Sequence, residues 1–180
     1  MLAGEPLTIC TIGHSTAAIP AFVDLLRVGE VTKVVDVRTV PRSRHNPQYN
    51  LDALPGELAK FQIGHKFIGE LGGLRGRSHE VAPEVNGLWR NESFHNYADY
   101  ALTDGFRQGM QRLLALARGE RCAIMCAEAV WWRCHRRIIA DYLLAAGHRV
   151  LHLMWPDRIE PARLTPGAVP QGAQMTYPAP

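Results

Sequence analysis

The sequence lacks the usual features of a membrane or secreted protein. It has no apolar run approaching the roughly 20 residues that cross a bilayer, and its first residues lack the basic region and apolar segment of a secretory signal. Only four of its 180 residues are cysteine, and their spacing does not resemble the disulfide framework of a secreted domain. We therefore expect a soluble, cytoplasmic protein without a membrane partner.

Lysine is also scarce. The 20 basic residues include three lysines, so 17 are arginines. Guanidinium groups favour bidentate contacts with phosphate or carboxylate, whereas the formal net charge of +3 is too small to indicate nucleic-acid binding by itself. Arginine content fits either an anionic ligand or a coding bias, and only the placement of particular arginines separates the two.

Apolar and amphipathic segments alternate along the chain. The predicted strands cover residues 7–13, 32–37, 65–68, 121–126 and 148–154, and the predicted helices cover 20–28, 51–62, 94–102, 103–118 and 134–146. Strands separated by helices indicate a parallel sheet with right-handed crossovers. We predict a single-domain, three-layer α/β fold over residues 1–155, with a mainly parallel, Rossmann-like sheet. The proline-rich tail, 156–180, is expected to have little regular structure.

Three segments that are distant in sequence follow predicted strands. Ligands of open parallel sheets bind at the C-terminal ends of the strands, so residues 13–16, 36–44 and 126–136 should converge on one pocket. A long glycine-rich loop, 70–92, is typical of a lid or binding loop. Tyr97 lies just after this loop and is a candidate for contact with the substrate.

The third segment has an unusual mixture of side chains. Cys126, Glu128, Cys134, His135 and Arg136 lie within a dozen positions. A helix beginning near Cys134 would lower the pKa of a nearby thiol and attract an anion, which Arg136 could hold. Alternatively, Glu128 forms an ion pair with Arg136 or its neighbour, and Cys134 is a buried structural residue.

Spacing argues against two familiar sites in this segment. A cysteine phosphatase needs arginine six positions after its nucleophile, and the sixth residue after Cys126 is Trp132. Cys126, Cys134, His135 and His14 are acceptable metal ligands, but they form no paired motif. We predict no metal site, and the sequence specifies neither a cofactor nor an oligomeric state.

The first two segments also contain candidate site residues. Arg38, Arg42 and Ser43 could hold a phosphate, a carboxylate or a nucleic-acid backbone. Asp36 fits the role of a base, a metal ligand or an ion-pair partner of Arg38. His14 is a candidate general acid or oxyanion donor. Its neighbour Ser15 is a candidate for substrate binding, because adjacent residues rarely share a proton as nucleophile and base.

Five ordered motifs resemble a known family. They are Ile-Gly-His-Ser-Thr at 12–16, Asp-Val-Arg at 36–38 with Pro-Arg-Ser at 41–43, Leu-Gly-Gly at 71–73, Tyr-Ala at 97–98, and Met-Cys-Ala-Glu at 125–128 with Cys-His-Arg at 134–136. Together they resemble the bacterial and archaeal domain-of-unknown-function family 488, over residues 7–153. The resemblance implies an α/β fold and a shared polar pocket built from these motifs, without an assigned activity.

The leading hypothesis is an enzyme that acts on a nucleotide, nucleic acid or other phosphorylated or anionic substrate by acid–base or hydrolytic chemistry. Its expected groups are Arg38, Arg42 and Arg136 for anion binding, Glu128 or Asp36 as base, His14 or His135 as acid, and Cys126 as nucleophile or pocket lining. The first alternative is a non-catalytic module that binds nucleic acid or nucleotide through its arginine-rich loops. The second is a thiol or metal sensor that uses Cys126 and Cys134.

Overall fold

The computed structural model describes residues 4–180. Its first five strands alternate with helices much as the sequence predicts. The strands are β1 (Thr8–Gly13), β2 (Lys33–Asp36), β3 (Gly64–Phe67), β4 (Cys122–Cys126), β5 (Arg149–Met154), β6 (Arg158–Pro161), β7 (Val169–Gln171) and β8 (Gln174–Thr176). The helices are α1 (Ile19–Val28), α2 (Leu54–Ala59), α3 (Glu92–Tyr100), α4 (Asp104–Ala117) and α5 (Arg136–Ala145).

The main sheet has the strand order β3-β2-β4-β1-β5-β6. Its first five strands are parallel, and β6 pairs antiparallel to β5. Gly13 at the end of β1 is in register with Cys126 of β4, and Asp36 at the end of β2 is in register with Met125. The C-terminal ends of β1, β4 and β2 therefore lie side by side, as the convergence argument requires.

Helices cover both faces of this sheet. Alternate residues of a strand point to opposite faces, and in β4 Ile124 packs into one apolar cluster whereas Ala123 and Met125 pack into the other. The first cluster is covered by α3, α4 and α5, and the second by α1 and α2. The prediction of a three-layer α/β fold is confirmed. In the described part of the chain, no helix is long and apolar enough to cross a membrane.

The C-terminal segment is more ordered than its composition suggests. It contributes β6 to the main sheet, and β7 and β8 form a hairpin whose two-residue loop begins at Gly172, with φ of 62°. Met175 and Tyr177 are fully buried against the cluster beneath α5, and the Tyr177 hydroxyl donates to Asp141 at 2.8 Å. The prediction of little regular structure after residue 155 is wrong, because alternating apolar side chains anchor this segment.

Two predicted helices begin later than expected. The helix predicted over 51–62 is limited to Leu54–Ala59, with Pro55 in its first turn. The helix predicted from residue 134 begins at Arg136, after a short 3-10 turn, Trp131–Arg133. Cys134 has extended backbone angles and therefore lies in the connection between β4 and α5, next to the end of β4.

Candidate functional site

A cavity of about 540 Å³ opens where β1, β2 and β4 end. The Leu-Gly-Gly loop and the start of α3 close its other side, through Gly73, Leu74, Asn91, Ser93 and Phe94. The candidate site residues that line the cavity are His14, Arg38, Arg42, Ser43, Cys126, Glu128, Cys134 and His135. The structure therefore brings together candidates from all three converging segments.

Four other candidates lie outside the lining. Ser15 has a positive φ of 49° and turns the chain after β1, while the Tyr97 hydroxyl donates to the carbonyl of Leu71 at 2.8 Å. Asp36 and Arg136 are buried behind the cavity wall. The Tyr97 ring packs edge-on against His135, with 5.0 Å between ring centroids, so it supports a lining residue and does not face the cavity.

Asp36 and Arg38 form a buried ion pair at the end of β2. Arg38 Nε donates to Asp36 Oδ1 at 2.9 Å, and Nη2 donates to Oδ2 at 2.6 Å. Burial by itself raises the pKa of Asp36, but the hydrogen bonds from Arg38 and the nearby His65, whose Nε2 is 3.8 Å from Oδ2, lower this pKa below its ordinary value. Both carboxylate oxygens are thus occupied, and Asp36 orients Arg38 toward the cavity.

His14 lies against this ion pair. Its Nδ1 is 2.8 Å from the carbonyl of Ser15, and because a carbonyl only accepts, Nδ1 has the proton. Nε2 is left as an acceptor, 3.4 Å from Arg38 Nη1. Burial lowers the pKa of His14 to about 4, so its imidazole is neutral at physiological pH and has no proton on Nε2 to give.

The two pocket cysteines contact each other and a buried guanidinium group. Cys126 Sγ and Cys134 Sγ are 2.7 Å apart, and both are free thiols. Arg136 Nε donates to Cys126 Sγ at 3.0 Å and lies 3.4 Å from Cys134 Sγ. Nη1 donates to Thr11 Oγ1 and Nη2 to the carbonyl of Glu128. Arg136 therefore holds the thiols from behind and does not reach into the cavity.

Arg136 lacks the partner that a buried arginine normally has. Its side chain is 1% exposed, and no carboxylate of residues 4–180 lies within 4 Å of it. Glu128, the partner considered from sequence, is exposed at the cavity mouth and contributes only its backbone carbonyl. The ionisable groups that contact the buried charge are the two thiols.

The neighbours of each sulfur determine which of the two cysteines has the lower pKa. Burial alone would raise the pKa of Cys134, but a hydrogen bond from Cys126, the neighbouring His135 and the positive charge of Arg136 lower it well below its ordinary value. Burial and the hydrogen bond to Cys134 raise the pKa of Cys126. These directions favour ionisation of Cys134 over ionisation of Cys126, whose thiol is placed to donate to the Cys134 sulfur.

His135 is fixed next to this thiolate. Its Nε2 donates to the carbonyl of Val37 at 2.8 Å, and Nδ1 lies 3.4 Å from Cys134 Sγ. The carbonyl contact fixes the proton on Nε2, so Nδ1 is the nitrogen that faces Cys134. A Cβ at position 73 would overlap the His135 ring, and glycine at this position leaves the space that the imidazole occupies.

Comparison with known proteins identifies the family. A family model described as domain of unknown function DUF488 matches residues 18–143. The chain belongs to this family. Searches of curated proteins and of solved structures found no match. The matched residues include both pocket cysteines and the Asp36–Arg38 pair, while His14 precedes them.

Sequence reasoning missed several lining residues of this DUF488 pocket. Arg133 lines the cavity next to Cys134, and its side chain is exposed. No carboxylate in the described chain lies within 4 Å of Arg133 or Arg42. Arg133 lies one residue before the Cys-His-Arg motif, which was the available signal. Gly73, Asn91 and Phe94 could be found only from the three-dimensional packing of the long loop and α3.

No metal-binding cluster of three or more His, Cys, Asp and Glu side chains is present between residues 4 and 180.

Proposed function

We propose that this DUF488 protein is an enzyme that acts on an anionic substrate through a thiolate at Cys134. The observation that carries the proposal is the buried Arg136 guanidinium, which contacts two sulfurs and no carboxylate. An unpaired buried charge costs several kcal/mol. Ionisation of one thiol removes this cost, so the folded protein favours a thiolate at the cavity wall.

Three arginines give the cavity its preference for anions. Arg42 and Arg133 lie at its exposed side without acidic partners, and Arg38 is fixed in the wall by Asp36. Guanidinium groups bind phosphate and carboxylate through directed hydrogen bonds. The substrate class that fits this lining is a phosphorylated or carboxylated molecule, which includes a nucleotide or a segment of nucleic acid.

The remaining lining groups suit hydrolysis through a covalent intermediate. The Cys134 sulfur attacks the electrophilic atom of the substrate, and the bond to the leaving group breaks as the sulfur bond forms. His135 Nδ1 lies beside the sulfur and, when protonated, gives its proton to the leaving group. Glu128 at the mouth then takes a proton from water, whose oxygen displaces the sulfur and restores the thiolate.

Two alkylating reagents of different charge test the proposal without knowledge of the substrate. Iodoacetate is an anion, and iodoacetamide is its neutral counterpart. A free thiolate does not prefer the anionic reagent, whereas Cys134 should react about tenfold faster with iodoacetate, because the arginines concentrate anions at the cavity. Peptide mass spectrometry after each reaction identifies the modified cysteine.

Matched arginine variants separate the cavity from general charge. Arg42→Gln with Arg133→Gln should remove the preference for iodoacetate, while Arg44→Gln, an exposed arginine outside the lining, should leave it unchanged. A non-catalytic binding module needs no reactive thiolate. Slow reaction of Cys134 with both reagents, at the rate of an ordinary buried thiol, would therefore contradict the enzyme proposal.

A further inference from the structure

We propose a second activity for the same site: Cys126 and Cys134 act as a dithiol that reduces small anionic disulfides and is itself oxidised to an intramolecular disulfide. This proposal rests on the Cys134 thiolate and the anion-binding arginines of the proposed function, but not on its hydrolytic step. Hydrolysis needs one sulfur. The structure places a second sulfur 2.7 Å away, in the same cavity wall.

The position of Cys126 makes it suitable as the resolving thiol. It lies at the last residue of β4, its sulfur faces Cys134, and its thiol donates to the Cys134 thiolate or to the carbonyl of Glu128. Both cysteines line the cavity, with 4% and 6% of their surfaces exposed. A disulfide that enters the cavity can thus meet Cys134 while Cys126 stays in contact with the attacked sulfur.

The other two cysteines do not have this arrangement. Cys10 and Cys122 are fully buried in the sheet and lie outside the cavity lining. Burial raises the pKa of each of these thiols to about 11. They are buried structural thiols and provide internal controls for the reactivity of the pocket pair.

The reaction is a two-step thiol–disulfide exchange. The Cys134 thiolate attacks one sulfur of the substrate disulfide, a mixed disulfide forms, and the first substrate thiolate leaves. Cys126 then attacks the Cys134 sulfur, the protein disulfide forms, and the second substrate thiolate leaves. One leaving thiolate takes the Cys126 proton and the other takes a proton from solvent. The protein pair is oxidised by two electrons, and the substrate is reduced to two thiols.

The cavity lining indicates which disulfides enter. Arg42 and Arg133 at the exposed side attract carboxylates, and a volume of about 540 Å³ falls within the range of small-molecule sites. Arg136 stabilises the attacking thiolate from behind. Glutathione disulfide, whose halves are tripeptides with free carboxylates, has the required chemistry. Hydroxyethyl disulfide has the same reacting bond without charge.

The experiment treats the reduced protein with glutathione disulfide and follows its intact mass. We expect wild type to lose the mass of two hydrogens, with Cys126 linked to Cys134 in the peptide map and two glutathione thiols released. The Cys126→Ser variant should accumulate a mixed disulfide at Cys134, because no second thiol displaces it. Cys134→Ser should react about a hundredfold more slowly than Cys126→Ser, and Cys122→Ala should behave as wild type.

Several outcomes would overturn this second activity. Stable accumulation of the mixed disulfide in wild type would show that Cys126 does not resolve it. Equal labelling of Cys126→Ser and Cys134→Ser, or no reaction of wild type, would also contradict it. Because the wild-type measurement requires no substitution, misfolding of a variant does not rescue the proposal.

Hydroxyethyl disulfide separates failure of this activity from failure of the proposed function. We expect the charged disulfide to close the Cys126–Cys134 bond about tenfold faster than the neutral one. Equal rates would retain the dithiol and reject the anion-binding role of the arginines. Fast, anion-selective alkylation of Cys134 without closure by either disulfide would retain the proposed function and reject the dithiol.

Discussion

Two arginines are buried at the same edge of the sheet, and their partners differ in kind. At the end of β2, Arg38 is paired with the carboxylate of Asp36. At the start of α5, Arg136 is paired with the sulfurs of Cys126 and Cys134. A carboxylate next to arginine is ionised throughout the physiological pH range. A thiol ordinarily titrates near pH 8.5, so a neighbouring guanidinium charge favours its ionised form within the physiological pH range.

The first pair is a structural ion pair, and the second is the reactive group of the proposed function. Asp36 has both oxygens occupied and serves to hold Arg38. Cys134 has one face against Arg136 and another toward the cavity. The first pair should thus control mainly the free energy of unfolding, and the second mainly the reactivity of the thiol.

The largest expected effect is on reactivity, from Arg136→Met. Without the guanidinium charge, the pKa of the Cys134 thiol should rise to at least its ordinary value of about 8.5. The alkylation rate near pH 6 should fall about a hundredfold, in proportion to the thiolate fraction. Arg137→Gln is the matched control, because this neighbour donates to Thr165 and not to a sulfur. An equal loss of rate in both variants would remove the special role of Arg136.

The next effect is on stability, from Asp36→Asn. This change leaves Arg38 buried without a counter-charge and should lower the free energy of unfolding by about 3–5 kcal/mol. Asp104→Asn breaks an exposed pair with Arg107 and should change it by less than about 1 kcal/mol. Urea unfolding measures both. Because the folded-state pKa of Asp36 is lowered, its contribution is complete above the ordinary carboxyl pKa and is lost as pH falls through the folded value.

Gly73→Ala should have a smaller effect, on the surroundings of the Cys134 thiol. The added methyl overlaps the His135 ring, so the imidazole must move away from Cys134 or from the Val37 carbonyl. We expect destabilisation of about 1–3 kcal/mol, together with slower alkylation of Cys134. Gly76→Ala has no neighbouring atom within 4 Å and serves as the control. Unchanged reactivity in Gly73→Ala would show that His135 does not assist the thiol.

The last effect is seen only at acidic pH and concerns the residues behind Arg136. Thr11 Oγ1 accepts from Arg136 and lies 2.7 Å from His152 Nδ1, and burial lowers the pKa of His152 to about 3. The unfolded chain binds a proton at this histidine below about pH 6.5, whereas the folded protein does not until about pH 3. As pH falls through this window, the free energy of unfolding of wild type should thus decrease by up to about 1.4 kcal/mol per pH unit because of His152 alone. The free energy of unfolding of His152→Gln should decrease less. If urea unfolding of wild type and of His152→Gln showed the same pH dependence, this role of His152 would be contradicted.

Some of the fold and site follows directly from the sequence. Apolar runs that end in Gly13, Val37 and Cys126 predict strands whose C-terminal ends meet, and the register of β1, β2 and β4 agrees. This rule is reliable because strand ends in a parallel sheet share one edge. It brings the loops together but does not determine how each side chain is oriented.

The direction of Arg136 illustrates what the sequence does not determine. The sequence predicts that it holds an anion in the pocket, whereas its guanidinium is buried and faces the two sulfurs. The sequence also does not predict the ordered C-terminal hairpin, for a different reason. Its prolines suggest an irregular tail, whereas Met175 and Tyr177 alternate as buried residues of a short strand and the segment after it.

The central claim is that the buried guanidinium makes Cys134 a thiolate in the folded protein. The most direct measurement is the rate of Cys134 alkylation by iodoacetamide across a pH series, with the modified peptide identified by mass spectrometry. We predict a midpoint well below the ordinary thiol pKa of about 8.5. A midpoint at or above about 8.5, in protein shown to be folded, would contradict it.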